Sequence, residues 1–154
     1  MTTSINRQEY YSALGRITVS TNHLEHWMRT CLLIIHGPDI FRFLDAWLAT
    51  ANFERVHQVL QFSFSYKISD KPTLEKFADI CKQINDLNME RNKYIHSQWL
   101  FAIDDSFVIR TRKLKSTYSE HETEPSVAEL NKLADDLGIV HKKLLAFINE
   151  VFPK

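Results

Sequence analysis

Residues 74–98 of the chain read LEKFADICKQINDLNMERNKYIHSQ. Apolar side chains recur along this stretch at steps of three and four residues, which is the period of one face of an α-helix. Pro72 stands just before it, and proline favours the first turn of a helix. The pattern therefore predicts a long helix that begins near Pro72 and carries the polar hexapeptide RNKYIH (residues 91–96) in its last turns.

The same period recurs on both sides of this stretch. It predicts a first long helix from Arg7 to His36, ended by Gly37-Pro38, and a short helix from Ile40 to Ala49. Asn52 can cap the helix that follows. The sequence SVAE at residues 126–129 is a capping box that opens the last long helix.

Between residues 98 and 126 the pattern changes to apolar and polar residues in alternation. Residues 99–103 and 107–111 predict two strands, residues 104–106 a turn, and the polar residues 115–125 a loop. We therefore expect an all-α fold. It is an up-down bundle of four to five helices with one small β-hairpin before the last helix, and a single domain over residues 1–154.

The composition narrows the class of protein. Lys and Arg total 19 and so do Asp and Glu, which excludes a strongly basic nucleic-acid coat but not a local basic patch. Cys31 and Cys81 lie in apolar helical stretches and are interpreted as core residues of a protein in a reducing compartment. Residues 31–35 form the longest wholly aliphatic-or-cysteine run, too short to span a membrane. We expect a cytoplasmic protein that binds no metal, no cofactor and no membrane.

The hexapeptide at residues 91–96 combines two chemical groups that act on phosphodiesters. The guanidinium of Arg91 can clamp a phosphate, and the imidazole of His96 can move a proton near neutral pH. Asn88, Asn92 and His96 share one side of the helix, whereas Arg91 lies about 140° around the axis and about 7.5 Å along it from His96. One helix cannot bring Arg91 and His96 together, but two copies related by a symmetry axis can.

A structural interpretation of the same residues stays open. Arg91 can pair with a carboxylate such as Glu25, Glu90 or a residue of the last helix, His96 can cap its helix, and Asn92 can bond a loop. In that case the polar ridge of Asn88, Asn92 and His96 fixes the register of a helical interaction protein and takes part in no reaction.

Arg91-Asn92-x-x-x-His96 resembles the arginine–polar–x–x–x–histidine motif of the HEPN superfamily of small helical-bundle proteins. The helical context is similar as well, with two long helices before the motif and one after it. The resemblance implies a metal-independent endoribonuclease that acts on RNA at a homodimer interface. It implies that His96 is the general acid/base, that Arg91 holds the scissile phosphate, and that Asn92 orients the phosphate or the histidine. The product would end in a 2′,3′-cyclic phosphate or 3′-phosphate.

The resemblance also suggests a biological setting in phage defence or in a toxin–antitoxin system. An antitoxin or a nucleotidyltransferase is then the expected partner. Toxin members that pair with a nucleotidyltransferase commonly carry a tyrosine two residues after the histidine, and Gln98 stands there in this chain. Other members of the superfamily have no catalysis, so the alternative is a non-catalytic HEPN-like module for nucleotide binding or protein–protein interaction.

Four basic residues are candidates for binding RNA: Lys93, Arg110, Arg112 and Lys113. On a strand, Arg110 and Arg112 project from the same face and could follow an RNA backbone. The alternative is a solvated hairpin edge on which the charges prevent aggregation. Lys93 is interpreted either as a phosphate contact or as a solvent-facing charge.

Overall fold

We describe the fold from a computed structural model that covers residues 6–102, 108–114, 117–119 and 125–153, with side chains for residues 6–102 and 125–153. Within these residues four helices and three short strands follow one another: α1 (Arg7–Leu48), α2 (Phe53–Lys67), α3 (Lys71–Ile95), β1 (Gln98–Phe101), β2 (Val108–Leu114), β3 (Thr117–Ser119) and α4 (Val127–Val151). The predicted all-α bundle with a small hairpin before the last helix is confirmed.

Helix α1 consists of two helical segments, residues 7–36 and 38–48, separated by Gly37. Its backbone angles there are φ 77° and ψ 169°, which a glycine adopts without steric cost because it has no Cβ. Arg29 in the first segment donates a hydrogen bond to the carbonyl oxygen of Leu48, 2.9 Å away, and lies 3.6 Å from Asp45. The second segment therefore runs back along the first, and the predicted break at Gly37-Pro38 is correct.

The helical segments alternate in direction along the chain. The guanidinium of Arg55, near the start of α2, lies over the ring of Trp47, near the end of the second segment of α1. Ile40 and Phe62, one from each of these helices, line the same cavity, so α2 is antiparallel to that segment. A connection of only three residues, 68–70, then reverses the chain into α3.

The last helix completes the bundle. Lys143, in the second half of α4, donates a hydrogen bond to Gln83, in the middle of α3, at 3.2 Å. Tyr94, at the end of α3, and Glu129, at the start of α4, line one cavity. Helices α3 and α4 are therefore antiparallel. Arg16 of α1 binds Asp135 of α4. Further along both helices, Trp27 stacks on His141. Helices α1 and α4 are therefore parallel, and the five segments run up, down, up, down and up.

One apolar core joins all four helices. It excludes water from large side chains whose burial supplies most of the stabilising free energy. Cys31 and Cys81 are buried in it as free thiols, as predicted, and burial raises the pKa of each to about 12. The largest fully buried side chains are Phe64, Ile17, Leu24, Met28, Leu32, Leu48, Leu60, Ile84, Leu130, Leu137, Leu144 and Ile148.

The predicted helix caps are also present. The Asn52 side chain accepts a hydrogen bond from the backbone N–H of Arg55 at 2.9 Å. Ser126 and Glu129 form a reciprocal capping box at the start of α4. Each cap satisfies backbone N–H groups that have no partner within the helix.

The strands form a three-stranded antiparallel sheet in the order β1-β2-β3. The predicted hairpin is thus found in the backbone of β1 and β2, although its predicted turn at residues 104–106 lies outside the described residues. The predicted loop over residues 115–125 is wrong for residues 117–119. Those three residues pair with residues 112–114 and extend the sheet, because β2 is longer than β1 and has backbone groups left to pair.

Two smaller boundaries also differ from the sequence pattern. Helix α3 ends at Ile95, with His96 as its C-cap residue. Gln98, which the helical pattern of residues 74–98 had included, begins β1 instead. No helix in the described part of the chain combines the length and the apolar character that a membrane span requires.

Candidate functional site

The end of α3 is held in place by the strand that follows it. The indole N–H of Trp99 donates a hydrogen bond to the carbonyl oxygen of Tyr94 at 2.9 Å. The rings of Trp99 and Phe101 contact the buried ring of Tyr10, with centroids 6.2 Å and 5.8 Å away. These contacts fix the last turn of α3, and with it residues 91–96, against the start of α1.

Arg91 lies on the margin of the buried face of α3, where its side chain is half-buried. Its Nη1 donates a hydrogen bond to the side-chain oxygen of Asn92 at 2.7 Å. Its Nε is buried and has no hydrogen-bond partner among the described residues. Burial lowers the pKa of the guanidinium from its ordinary value, and the negative charge of Glu25 acts in the opposite direction.

Glu25 acts on Arg91 through space but forms no direct ion pair with it. The carboxylate of Glu25 lies 3.1 Å from the guanidinium of Arg29, one turn further along α1. Among residues 6–102 and 125–153, no carboxylate oxygen lies within ion-pair distance of Arg91. The Glu25 carboxylate is thus held by Arg29, and its charge acts on Arg91 only through space.

Asn88 precedes Arg91 by three residues on the same helix. Its side-chain oxygen is buried and has no hydrogen-bond partner among the described residues. A buried polar atom without a partner costs about 1–3 kcal/mol of stability, and both Asn88 and Arg91 carry one. Asn88 and Arg91 therefore each keep one polar atom that can still accept or donate a hydrogen bond.

His96 is exposed at the end of α3 and serves as its C-cap through its backbone. Its backbone N–H donates to the carbonyl oxygen of Asn92 at 3.4 Å. No hydrogen bond joins the His96 imidazole to Arg91 or Asn92 within the described residues. The structure thus brings Arg91 and Asn92 together and leaves the imidazole free in solvent.

Glu90 and Lys93 form a second polar group on the exposed side of the same turn. The Lys93 ammonium lies 2.5 Å from Glu90, and the Tyr94 hydroxyl donates to the other oxygen of that carboxylate at 3.2 Å. Glu90 is therefore occupied by Lys93 and Tyr94 and does not pair with Arg91. The Tyr94–Glu90 hydrogen bond was not predicted, although the spacing of four residues signals such a pair.

The basic run of β2 lies beside the end of α3. In the backbone register, Thr111 is opposite Gln98 and Arg110 is opposite Trp99, so β2 passes within a few residues of His96. Paired strands lie about 4.8 Å apart. The side chains of the predicted RNA-binding residues Arg110, Arg112 and Lys113 lie outside the described part of the structure.

In the described residues no three His, Cys, Asp or Glu side chains are grouped so that they could hold a metal ion. The polar groups at the end of α3 are instead a guanidinium, an amide and an imidazole, which bind anions or move protons. No family model, no curated protein and no solved structure matched this chain.

Proposed function

We propose that two copies of this chain form a metal-independent endoribonuclease of the HEPN type, with its active site at the ends of the two α3 helices. The observation that carries the proposal is the state of Arg91. Its guanidinium is half-buried, is oriented by Asn92 and has no carboxylate at ion-pair distance among the described side chains. A cation kept in this way can bind the charge of a phosphodiester.

The roles of the three residues follow from their chemistry. His96 takes the proton of the ribose 2′-hydroxyl, and the resulting oxygen attacks the neighbouring phosphorus. The bond from phosphorus to the 5′-oxygen breaks, and that oxygen leaves with a proton supplied by imidazolium. Arg91 offsets the negative charge that builds on the phosphate oxygens, and Asn92 orients the guanidinium. The products are a 2′,3′-cyclic phosphate and a 5′-hydroxyl.

The dimer is needed because one helix cannot supply the whole site. The imidazole of His96 forms no hydrogen bond with Arg91 or Asn92 of its own chain in the described residues. A twofold axis beside α3 would bring the His96 of one copy to the Arg91 of the other. Lys93 and the β2 residues Arg110, Arg112 and Lys113 would then bind the RNA backbone on either side of the cleavage point.

The setting that goes with this activity is phage defence or a toxin–antitoxin system in the cytoplasm. A partner that restrains the nuclease belongs to that setting. Gln98 replaces the tyrosine that a nucleotidyltransferase antitoxin would modify, so we expect restraint by binding of a partner and not by modification at this position.

A non-catalytic helical module is the second candidate. The charge of Glu25 acts on Arg91, and the guanidinium is half-buried, as in a structural polar cluster. Such a module would bind a nucleotide or another protein. It predicts that substitution of Arg91 or His96 changes assembly or ligand-induced stabilisation and that no RNA is cut.

The deciding experiment incubates mixed RNA with the wild type, His96→Ala and His26→Ala, with EDTA present throughout. His26 is an exposed histidine on α1 and is the matched control. The nuclease predicts cleavage by the wild type and the control, and a loss of about 10²–10⁴-fold in His96→Ala. Circular dichroism and size-exclusion chromatography check that all three fold and assemble alike. Cleavage that survives in His96→Ala would contradict the proposal.

A further inference from the structure

A cavity of about 460 Å³ lies between the second segment of α1 and α2, on other elements than those that carry Arg91 and His96. Its walls are mainly apolar. Ile40, Leu44 and Trp47 contribute one wall, and Val59 and Phe62 contribute the other. Sites for small molecules usually have about 300–1,000 Å³ and walls of this kind, so the size and lining suit a ligand.

The depth of the cavity distinguishes it from a flat apolar face. Ser63 lines it although only 4% of that residue is exposed, so a hydroxyl-bearing residue stands at its inner end. At the rim, Trp47 and Phe62 are exposed to 57% and 74%. Large aromatic side chains at this exposure mark a binding surface when they are grouped.

Two cations stand at or near this cavity, Arg55 in its lining and Lys67 beside His36, and one acid, Glu54, accepts a hydrogen bond from the lining residue Gln58 at 3.4 Å. The guanidinium of Arg55 lies 4.9 Å from the centre of the Trp47 ring, which holds the guanidinium at the cavity. Among the described residues no carboxylate lies at ion-pair distance from Arg55 or Lys67, and no acidic residue lines the cavity. His36 lines it too, and Lys67 is close enough for its charge to act on that ring.

We infer that this cavity binds a small molecule with an apolar body and a single carboxylate. The apolar body fills the space between Leu44 and Val59 and removes the exposed faces of Trp47 and Phe62 from water. The carboxylate accepts two hydrogen bonds from the guanidinium of Arg55, which lies 4.9 Å from the centre of the Trp47 ring. This inference is independent of the proposed nuclease.

The test uses three eight-carbon probes that share the chain and differ in charge: octanoate, 1-octanol and octyltrimethylammonium. Isothermal titration calorimetry should show saturable 1:1 binding of octanoate, weaker binding of octanol and none of the ammonium. Arg55→Met should weaken octanoate by about tenfold and leave octanol unchanged, because only the charge-assisted hydrogen bonds are lost. Arg55→Lys should fall between the wild type and Arg55→Met, because lysine keeps the charge but not the fork.

Arg42→Met is the matched control, since Arg42 is exposed on the same segment of α1 and does not line the cavity. We expect it to bind octanoate like the wild type. Equal affinity for octanoate and the ammonium, or equal loss in Arg42→Met and Arg55→Met, would overturn the inference. So would self-association of the chain, seen by sedimentation, that blocks octanoate and disappears in Phe62→Ala, because the occupant would then be a second copy.

Discussion

The guanidinium of Arg91 and the side-chain oxygen of Asn92, its neighbour in the chain, are joined by a hydrogen bond of 2.7 Å. Consecutive side chains leave a helix about 100° apart, so such a bond runs around the helix and not along it. Because the amide oxygen of Asn92 accepts from Arg91, its NH₂ group is left to donate elsewhere. The pair therefore presents N–H donors from both side chains, which suits a phosphate.

The composite site predicts complementation between two inactive variants. Arg91→Ala and His96→Ala should each be inactive as homodimers. When the two are mixed and exchange subunits, about half of the dimers are mixed and hold one Arg91 and one His96 in the shared cleft. We expect RNA cleavage to return to a measurable fraction of the wild type, up to about a quarter, because each mixed dimer restores one of the two Arg91–His96 pairs.

Two differently tagged variants show by co-purification whether the subunits have exchanged. A double variant, Arg91→Ala with His96→Ala, mixed with the wild type provides the control for dilution of active subunits. If exchange is complete and the mixed dimers remain inactive while the wild type cleaves, then Arg91 and His96 act within one chain or Arg91 is structural.

Gly37 and Gly15 both lie in α1, and replacing each by alanine should change the free energy of unfolding in opposite directions. Gly37 has φ 77°, a value that L-residues adopt only with strain, so Gly37→Ala should destabilise the fold by about 1–3 kcal/mol. Gly15 is exposed in the first segment of α1, and an added Cβ would meet no atom within 4 Å. Gly15→Ala should stabilise by about 0.5–1 kcal/mol. Urea unfolding measures both, and destabilisation by Gly15→Ala would contradict the described packing.

Phe64 and Phe62 provide a test of the core. Phe64 is fully buried and stacks on Phe77 with centroids 3.9 Å apart, so Phe64→Ala should cost about 3–5 kcal/mol. Phe62 is 74% exposed, and Phe62→Ala should change the free energy of unfolding by no more than about 0.5 kcal/mol. Thermal unfolding of the two variants compares them directly. Equal effects would mean that α2 is rotated relative to the described structure.

His57 makes stability depend on pH. It is buried, and burial lowers the pKa of its imidazole from the ordinary value of 6.5. Below about pH 6.5 the unfolded chain binds a proton on His57 more readily than the folded chain does. The free energy of unfolding therefore keeps its full value above about pH 6.5 and decreases as the pH falls below it. His57→Gln should flatten the decline in the free energy of unfolding between about pH 7.5 and 5.5.

The measurement is a series of urea titrations across that range for the wild type, His57→Gln and His26→Gln. His26 is exposed, so its replacement should leave the slope with pH unchanged. Burial also lowers the pKa values of His36 and His141. Part of the decrease in the free energy of unfolding at low pH should therefore remain in every variant. A slope that His57→Gln does not change would show that His57 is hydrated.

The fold could be predicted largely from the spacing of apolar residues along the chain and from the residues that cap helices. Pro72, Asn52 and Ser126 start helices through local chemistry that needs no tertiary contact, and the structure uses all three. The strand at residues 117–119 could not be predicted, because its sequence is polar and short. It forms by pairing with β2, and that pairing is a long-range property of the sheet edge.

The candidate site was less predictable than the fold. The sequence offered Arg91 several carboxylate partners, Glu25, Glu90 or a residue of the last helix, but could not select among them. That choice depends on competition, since Glu25 is bound by Arg29 and Glu90 by Lys93. Both pairs lie within one helix, at spacings of four and three residues, so the spacing indicates them. The bond from Arg91 to Asn92 joins neighbours in the chain, and no spacing rule indicates it.

The parallel packing of α1 and α4 has a consequence for how the chain is made. Arg16 and Asn131 touch across 115 positions of sequence, so the face of α1 that α4 covers waits for residues 127–151 to leave the ribosome. Until then Ile17, Leu24 and Met28 lack much of the surroundings that bury them in the finished fold. Folding of this domain therefore completes only after residues 127–151 have emerged, and we expect a nascent chain stalled before residue 127 to leave this face of α1 open to water.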